Sequence, residues 1–394
     1  MPFLFALLFL AQDYSHRGFV ETRTALYPQA ASNDASHAVG EALLRHESFY
    51  QPFEGVEVAG AVDVRMDTHH QTERQWRIDW RDRTLQRPAL SLRRFSGQIH
   101  RGPLTIEAGK QFVRWGRTDV VNPTDRFAPR DFMTVVDSEF LGIAAMRATY
   151  ERGANTLDVV WSPWFTPSRI PLPNQRWIVT PPDAPVLPVE RSVPRGSQAG
   201  VRWSHAGFVE FAAAYYSGFD HLPSFGVDAS SAAIRQFYPR THMAGGDVAL
   251  PAKWFTVKAE AGYFSFPDDR IDEYVLYVVQ LERQSGEWFF IGGYGGEIVT
   301  RRSGQSTNFN PERGKTRTVL ARAGYTIDVN RSVALEAAVR QNLDGAWIRG
   351  EYSQAIGQHW RWTAGLSLIR GEPSDFLGQY RRNSHASIAV RYSF

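Results

Sequence analysis

The sequence predicts an all-β protein, a transmembrane antiparallel β-barrel of about 18 strands with short periplasmic turns and long extracellular loops. Three observations carry that expectation. Apolar and polar residues alternate with period two along many short segments. The apolar faces carry aromatic residues near their ends, among them Trp161, Tyr263, Trp360, Tyr392 and Phe394. The connections between segments switch regularly between short and long.

The chain opens on an uninterrupted apolar run, residues 2–11. At about 20 residues needed to span a bilayer as a helix, the run is too short to cross, but it suits the core of a signal peptide cut near Ala11. No Lys or Arg precedes it, and Phe9 is large for the position three before the cut, which points to a start upstream of Met1. A buried N-terminal strand or helix is the alternative. Residues 12–394 then read as a single barrel. No later stretch approaches about 18 apolar residues, so helical membrane spans are excluded.

The first strand is expected near residues 17–27. In VEVAGAVDVR, Val56, Val58, Val62 and Val64 oppose Glu57, Asp63 and Arg65. LTIEAGKQFVRWG forms the fifth strand and FLGIAAMRATY the sixth. FVEFAAAYY sets Val209, Phe211, Ala213 and Tyr215 against Glu210, and FTVKAEAGY sets Phe255, Val257, Ala259 and Ala261 against Lys258 and Glu260. The same rhythm runs through SVALEAAVR, WRWTAGLSL and the terminal ASIAVRYSF. Short turns fall near 151–154, 204–207, 249–253, 285–287, 328–331 and 357–359, and long loops at 67–87, 116–139, 166–198, 219–240, 301–315 and 371–384. The connection at 342–345 is the one short member on the long side. Only about 9 to 11 residues of a strand need cross the bilayer, and half of those face inward, so a mean hydropathy below zero is compatible with a membrane protein. A soluble sandwich also alternates, but its apolar faces would share one dry core. At about 18 strands a barrel is too wide for its own side chains to fill, so water is expected inside.

Parity assigns Arg65, Arg147, Lys258, Arg322, Arg340, Arg349, Arg361 and Arg391 to the lumen, with Glu210, Glu260, Glu336 and Glu351 among the acids facing them. Lys110 would share the lipid side with Leu104, Ile106 and Ala108 unless a bulge at Gly109 turns it inward, which is the expectation here. The two signs nearly cancel, so most of these charges should pair across neighbouring strands. The slight basic excess favours anions weakly.

The segment 117–139 is the third loop on the long side. Its Asn122-Pro123 and Ala128-Pro129 steps impose extended geometry, and Asp119, Asn122 and Asp125 can cap nearby backbone. Arg117, Arg126 and Arg130 alternate with Asp119, Asp125 and Asp131, which suggests ion pairs within the loop or with the wall, while Phe127, Phe132 and Met133 offer apolar anchors. These residues, with Trp115, are the candidates for a folded constriction presenting fixed charge to a solute. The alternative is a loop that seals the mouth or packs against a neighbour.

Of 44 basic residues four are Lys and the rest Arg, balanced by 41 acids to a net charge of +3 with no like-charge block, so nucleic acid is not an expected partner. There is no cysteine, which excludes disulfides and a thiol nucleophile. The 11 His are scattered, and no HExxH, GxSxG or phosphate-loop pattern occurs, so neither an enzyme nor a cofactor is expected. Adjacent His69 and His70 point apart in extended chain and make a poor metal pair. Gly292 to Glu297, GGYGGE, reads as a curved wall segment rather than a nucleotide loop. A plugged or purely structural barrel, its mouth filled by the proline-rich 167–193, remains the alternative to an open channel.

Trp115-Gly116, then Asn122-Pro123-Thr124-Asp125, then Pro129-Arg130-Asp131, placed after Gly109-Lys110-Gln111, resembles the signature of a large family of porin-like outer-membrane proteins, more distantly similar to alginate-export-type barrels. The resemblance covers 109–132 at motif level and the rest only in strand rhythm and the terminal Phe. It implies an outer-membrane location in a Gram-negative-type bacterium, insertion by barrel-assembly machinery that reads the last strand with Tyr392 and Phe394, and passage of small or hydrophobic solutes. It also implies a possible inner-membrane transporter as partner in export.

Overall fold

The computed structural model describes residues 14–119, 121–179, 188–228, 233–303 and 307–394. The run expected to be a signal peptide lies outside them. Among the described residues no helix is long and apolar enough to cross a membrane. Strands do the work instead. The first nine are β1 (Tyr14–Leu26), β2 (Ala38–Phe53), β3 (Val56–Asp67), β4 (Leu90–Arg101), β5 (Leu104–Gln111), β6 (Ile143–Arg152), β7 (Asn155–Ser162), β8 (Gln198–His205) and β9 (Glu210–Phe219). The second nine are β10 (Arg240–Pro251), β11 (Thr256–Ser265), β12 (Glu273–Ser285), β13 (Trp288–Arg301), β14 (Thr318–Asp328), β15 (Arg331–Arg340), β16 (Gly345–Ile356), β17 (Trp360–Gly371) and β18 (His385–Ser393).

Each strand pairs antiparallel with the next, and β18 returns to β1 in a ladder from Phe19 opposite Ser393 to Leu26 opposite Ala386. The ring is therefore closed at 18 strands, which leaves no sheet edge to pair elsewhere. Its last residue adds a reciprocal pair of backbone bonds between Phe394 and Gly18, 2.9 and 3.0 Å. The eight connections after even strands are turns of two to four residues, and most of those after odd strands are long; the connection 341–344 is short, as its sequence indicates. We number the long-side connections L1 to L9 in chain order.

Alternation sets the two faces. Val20, Ile106, Val159, Val201, Leu335, Leu366 and Ile388 stand exposed on the outside, with Trp161, Trp203 and Trp360 also exposed there. An apolar ring of that extent suits hydrocarbon, not water.

The interior is not an empty cylinder. L3, residues 112–142, packs Val113, Trp115 and Phe127 against Ile143, Val160, Tyr216, Met243, Phe264 and Leu276 of the inner wall in one buried apolar cluster. Trp115 meets Phe127 edge-on at 5.2 Å, and Phe127 meets Tyr216 at 5.0 Å. Gly200 of β8 makes the room: a Cβ there would lie 2.8 Å from both rings. Within L3, Arg130–Asp131 pairs with Glu139–Phe140.

The long-side mouth carries a second layer. Val189–Arg191 of L4, Ala233–Phe237 and Ser224–Asp228 of L5, and Thr307–Asn308 of L7 form a small four-stranded sheet. L2 contributes Ile78–Asp79, which pairs in parallel with Leu90 and Ser91 of β4, the part of that strand beyond its ladder with β5. L7 also holds a helical turn, Pro311–Gly314, whose Asn310 side chain accepts from the N–H groups of Glu312 and Arg313, both at 3.1 Å.

Candidate functional site

L3 leaves the wall at Gly109, whose φ of 126° only glycine holds without strain. The ladder runs on through Gly109 with no register shift, so the backbone is redirected by this dihedral rather than by the inserted residue the sequence suggested. Lys110 beside it is fully buried and donates to Asp82 of L2.

The descending arm of L3 is held by carboxylates. Asp125 caps the turn, accepting from Trp115 N at 2.5 Å and Gly116 N at 2.6 Å, and the Trp115 indole donates to Asp158 of β7 at 2.8 Å. Glu260 of β11, 2% exposed, is the focus. One of its oxygens accepts from Thr124 N and Oγ1, both at 2.8 Å; the other accepts from Arg117 N at 2.9 Å, Thr118 Oγ1 at 3.0 Å and Thr118 N at 3.2 Å. Arg117 then reaches Asp247 of β10 at 2.5 Å and also pairs with Glu210 of β9. Asp119 exchanges bonds with Gln280 of β12, 3.1 and 2.5 Å.

The returning arm is held by arginines on the facing wall. Glu139 is bonded by Arg45, Arg65 and Arg93 of β2, β3 and β4, each at 2.6 Å. Burial would raise its carboxyl, but Arg65 and Arg93, then Arg45, outweigh it and hold the group far below the usual carboxylate range. Asp137 meets Arg23 of β1 at 2.7 Å and Arg349 of β16 at 3.7 Å. Asp131 lies between Arg87 of L2 at 2.9 Å and Arg169 of L4 at 3.5 Å. Against the opposing influence of burial, those two cations bring its carboxyl to about 2. Arg169 passes on to Asp82 at 2.8 Å and so to Lys110.

Within L3 Arg114 reaches Asp125 at 3.4 Å, but Arg117, Arg126 and Arg130 do not pair with Asp119, Asp125 or Asp131 among the described residues. Arg126 goes to Glu312 of L7 at 2.8 Å, and Arg130 to the Asn122 side chain at 3.0 Å. Arg130 and Arg114 both lie over the Phe140 ring, 4.2 and 4.1 Å from its centroid. His221 of L5 places its ring nitrogens at the carbonyl oxygens of Thr166, 2.5 Å, and Arg126, 2.8 Å, joining L3, L4 and L5. Lys315 of L7 has no direct ion-pair or hydrogen-bond partner for its amine among the described residues. Burial, with Arg130 adding to it and Glu312 opposing, pushes that amine down to about 8.

The other parity-assigned charges pair mostly along the wall. Arg147 meets Asp158 at 2.8 Å, Lys258 meets Glu282 at 2.5 Å, Arg322 meets Glu336 at 3.2 Å, Arg349 meets Glu351 at 2.8 Å and Arg391 meets Glu21 at 2.7 Å. Arg340 instead reaches Asp375 of L9 at 2.8 Å, and Arg361 donates to the Ser353 hydroxyl at 3.0 Å. Tyr392 packs on Trp360 at 5.0 Å, and the Phe394 ring stacks on His46 at 6.3 Å.

Arg23, Arg45, Arg87, Arg93, Asp137, Glu139 and Asp247 escaped the sequence reading. Arg23 shares parity with Glu21 and could have been found that way. Arg45 could not, because ALLRHESFY in β2 blurs the alternation. Beside the returning arm a cavity of about 270 Å³ remains, between Thr134 to Glu139 and the wall at Glu21, Arg23, Arg45, Arg65 and Arg391.

No protein-family model matches the chain, and no curated protein matches its sequence. Solved structures do resemble it in shape. A BenF-like porin from Pseudomonas fluorescens Pf-5 is 10% identical with a TM-score of 0.58, over 97% of this chain and 98% of the porin. OccAB3 of Acinetobacter baumannii is 9% identical with a TM-score of 0.56, over 96% and 99%. OccK11 (OpdR) of Pseudomonas aeruginosa is 7% identical with a TM-score of 0.55, over 97% and 95%. At such identities the likeness is one of fold, and it spans essentially the whole of each chain: this is an 18-strand barrel of the porin type.

Proposed function

We propose that the protein is a channel of the Gram-negative-type outer membrane that passes small solutes, narrowed by L3. One observation carries this reading. L3 is bonded at one arm to Glu210, Asp247, Glu260 and Gln280 on β9 to β12, and at the other to Arg45, Arg65 and Arg93 on β2 to β4, with Glu260 and Arg65 eight strands apart around the ring. A segment fixed at both of those places lies across the bore, so a solute must go beside it. The gap at Arg23, Arg45, Arg65 and Arg391, closed on its loop side by Asp137 and Glu139, is the polar slot we assign to that route. Trp115, Arg117, Asp119, Asn122, Asp125, Arg126, Arg130 and Asp131 serve as its frame. Lys315, without a direct ion-pair partner among the described residues, and Arg130, bonded only to a neutral amide, give the interior a slight basic bias, which favours anions weakly.

The exposed apolar ring supports lipid as the surrounding medium, and the last strand with Tyr392 and Phe394 is the segment we assign to the assembly machinery. The porin-type fold supports a channel over a membrane hydrolase. Purified protein in a planar bilayer tests the reading: it predicts ohmic single-channel steps and a reversal potential in a salt gradient that shows weak anion preference. Silence across many insertions would favour instead a plugged exporter of hydrophobic molecules that works with an inner-membrane pump, nearer the alginate-export-type barrels. Cation preference would remove the basic bias.

A further inference from the structure

A cavity larger than the slot lies elsewhere. It holds about 790 Å³ and opens among the long-side loops, lined by L4, L5, L7 and L9 with Asp272 of L6 and Glu297 of β13. That is within the range of about 300 to 1,000 Å³ typical of sites for drug-sized molecules.

Its wall is aromatic: Trp177, Phe225, Phe309, Phe376 and Tyr380. Packing holds four of them in place. Trp177 and Tyr380 are buried, with ring centroids 5.7 Å apart, Phe376 meets Tyr380 edge-on at 5.7 Å, and Phe309 meets Phe132 of L3 at 6.2 Å. These rings are supported from behind and present a preformed apolar surface.

The charged groups on the wall are already satisfied by one another. Arg313 bonds Glu297 at 2.5 Å, reaches Asp272 at 3.4 Å and stacks on Tyr274 at 4.3 Å. Asp272 also accepts from Ser303 N at 2.9 Å. Two carboxylates against one guanidinium leave the wall mildly acidic. Two uncharged donors differ. The Asn310 oxygen is committed to its helix cap, which turns its amide NH₂ away from that helix end, and neither this NH₂ nor the side-chain amide of Gln379 has a hydrogen-bond partner among the described residues.

We propose that this cavity is a binding site for a neutral aromatic molecule that carries a hydroxyl or carbonyl group. The rings supply the stacking surface, and the amides of Asn310 and Gln379 bond the polar substituent. The acidic excess excludes carboxylate-bearing analogues, since an anion would lose hydration without gaining a free cation. The site goes beyond the proposed channel and does not rest on it.

Equilibrium dialysis of 2-naphthol and 2-naphthoate against barrels in lipid nanodiscs, with empty nanodiscs subtracted, tests it. The two probes share one ring system and differ in charge at neutral pH. Saturable retention of one naphthol per barrel is expected, with naphthoate about tenfold weaker or worse. Phe309→Asp should weaken naphthol about tenfold, and Gln379→Leu should weaken naphthol while leaving unsubstituted naphthalene unchanged. Equal retention of the two probes, or naphthol binding that both variants keep, overturns the proposal. Should Phe309→Asp not give a heat-modifiable barrel, Gln379→Leu and the ratio of the two probes decide. Binding is read without current, so a silent bilayer would sink the channel and not this site.

Discussion

Glu260→Ala is the most direct test of the proposal that L3 is held across the bore. The wild-type carboxylate accepts from three backbone N–H groups and two hydroxyls of residues 117 to 124, all between 2.8 and 3.2 Å. Alanine removes every acceptor at once. At about 1 kcal/mol net for each bond the loss is about 5 kcal/mol, equivalent to a factor of roughly 10³ to 10⁴ in the docked fraction of the loop tip. Apolar seating of Val121 and Phe127 offsets some of this without replacing the acceptors. The tip should therefore leave β11 while the barrel, whose ladders are untouched, stays closed. In single-channel recordings we expect larger unitary conductance and added open-state flicker. Glu260→Gln keeps one oxygen and places an NH₂ against N–H donors, so it should fall between the two. An Ala variant with native conductance and noise, in a barrel whose heat-dependent gel mobility shows it folded, would refute the reasoning.

Three further outcomes follow from the same geometry. Phe127→Ala removes the ring shared by Trp115 and Tyr216 and should destabilise L3 docking by about 3 to 5 kcal/mol, read as proteolytic cleavage within 117–139 that the native barrel resists. The Lys315 amine, lowered to about 8 by burial, is charged below that pH and neutral above it, so anion preference should weaken as pH rises through about 8 and stay flat in Lys315→Met, measured by reversal potential. Asp131 sits at about 2 against an ordinary 3.8, so its stabilisation is present above 3.8 and is lost as pH falls toward 2. Channel noise should accordingly rise over that acid window, whereas Asp131→Asn should show it already at neutral pH.

The barrel was legible because its physics is periodic. Ile106, Ala108 and Glu107 announce two faces in three residues, and lipid on one side with a wide interior on the other is the consistent outcome of that pattern repeated round a ring. Parity even placed Glu260 on the list of inward acids. Its role was not legible, since its partners are three backbone N–H groups and two threonine hydroxyls about 140 residues away in sequence, with no opposite charge to announce them. The alternation of Arg and Asp in L3 suggested ion pairs within the loop or with the wall; Arg117, Arg126 and Asp131 found the wall or a neighbouring loop, whereas Asp125 and Arg130 stay with partners inside L3, a division that local sequence does not contain. Gly109 was singled out for the right place and the wrong device, a dihedral and not an extra residue.

A wide ring one sheet thick is easy to squash: lateral pressure from surrounding hydrocarbon acts on it as on a thin hoop, and ovality needs little energy. L3 joins strands nearly opposite each other, by carboxylate on one side and guanidinium on the other. It therefore works as a strut between those strands, so the segment we propose as the constriction also keeps the hoop round.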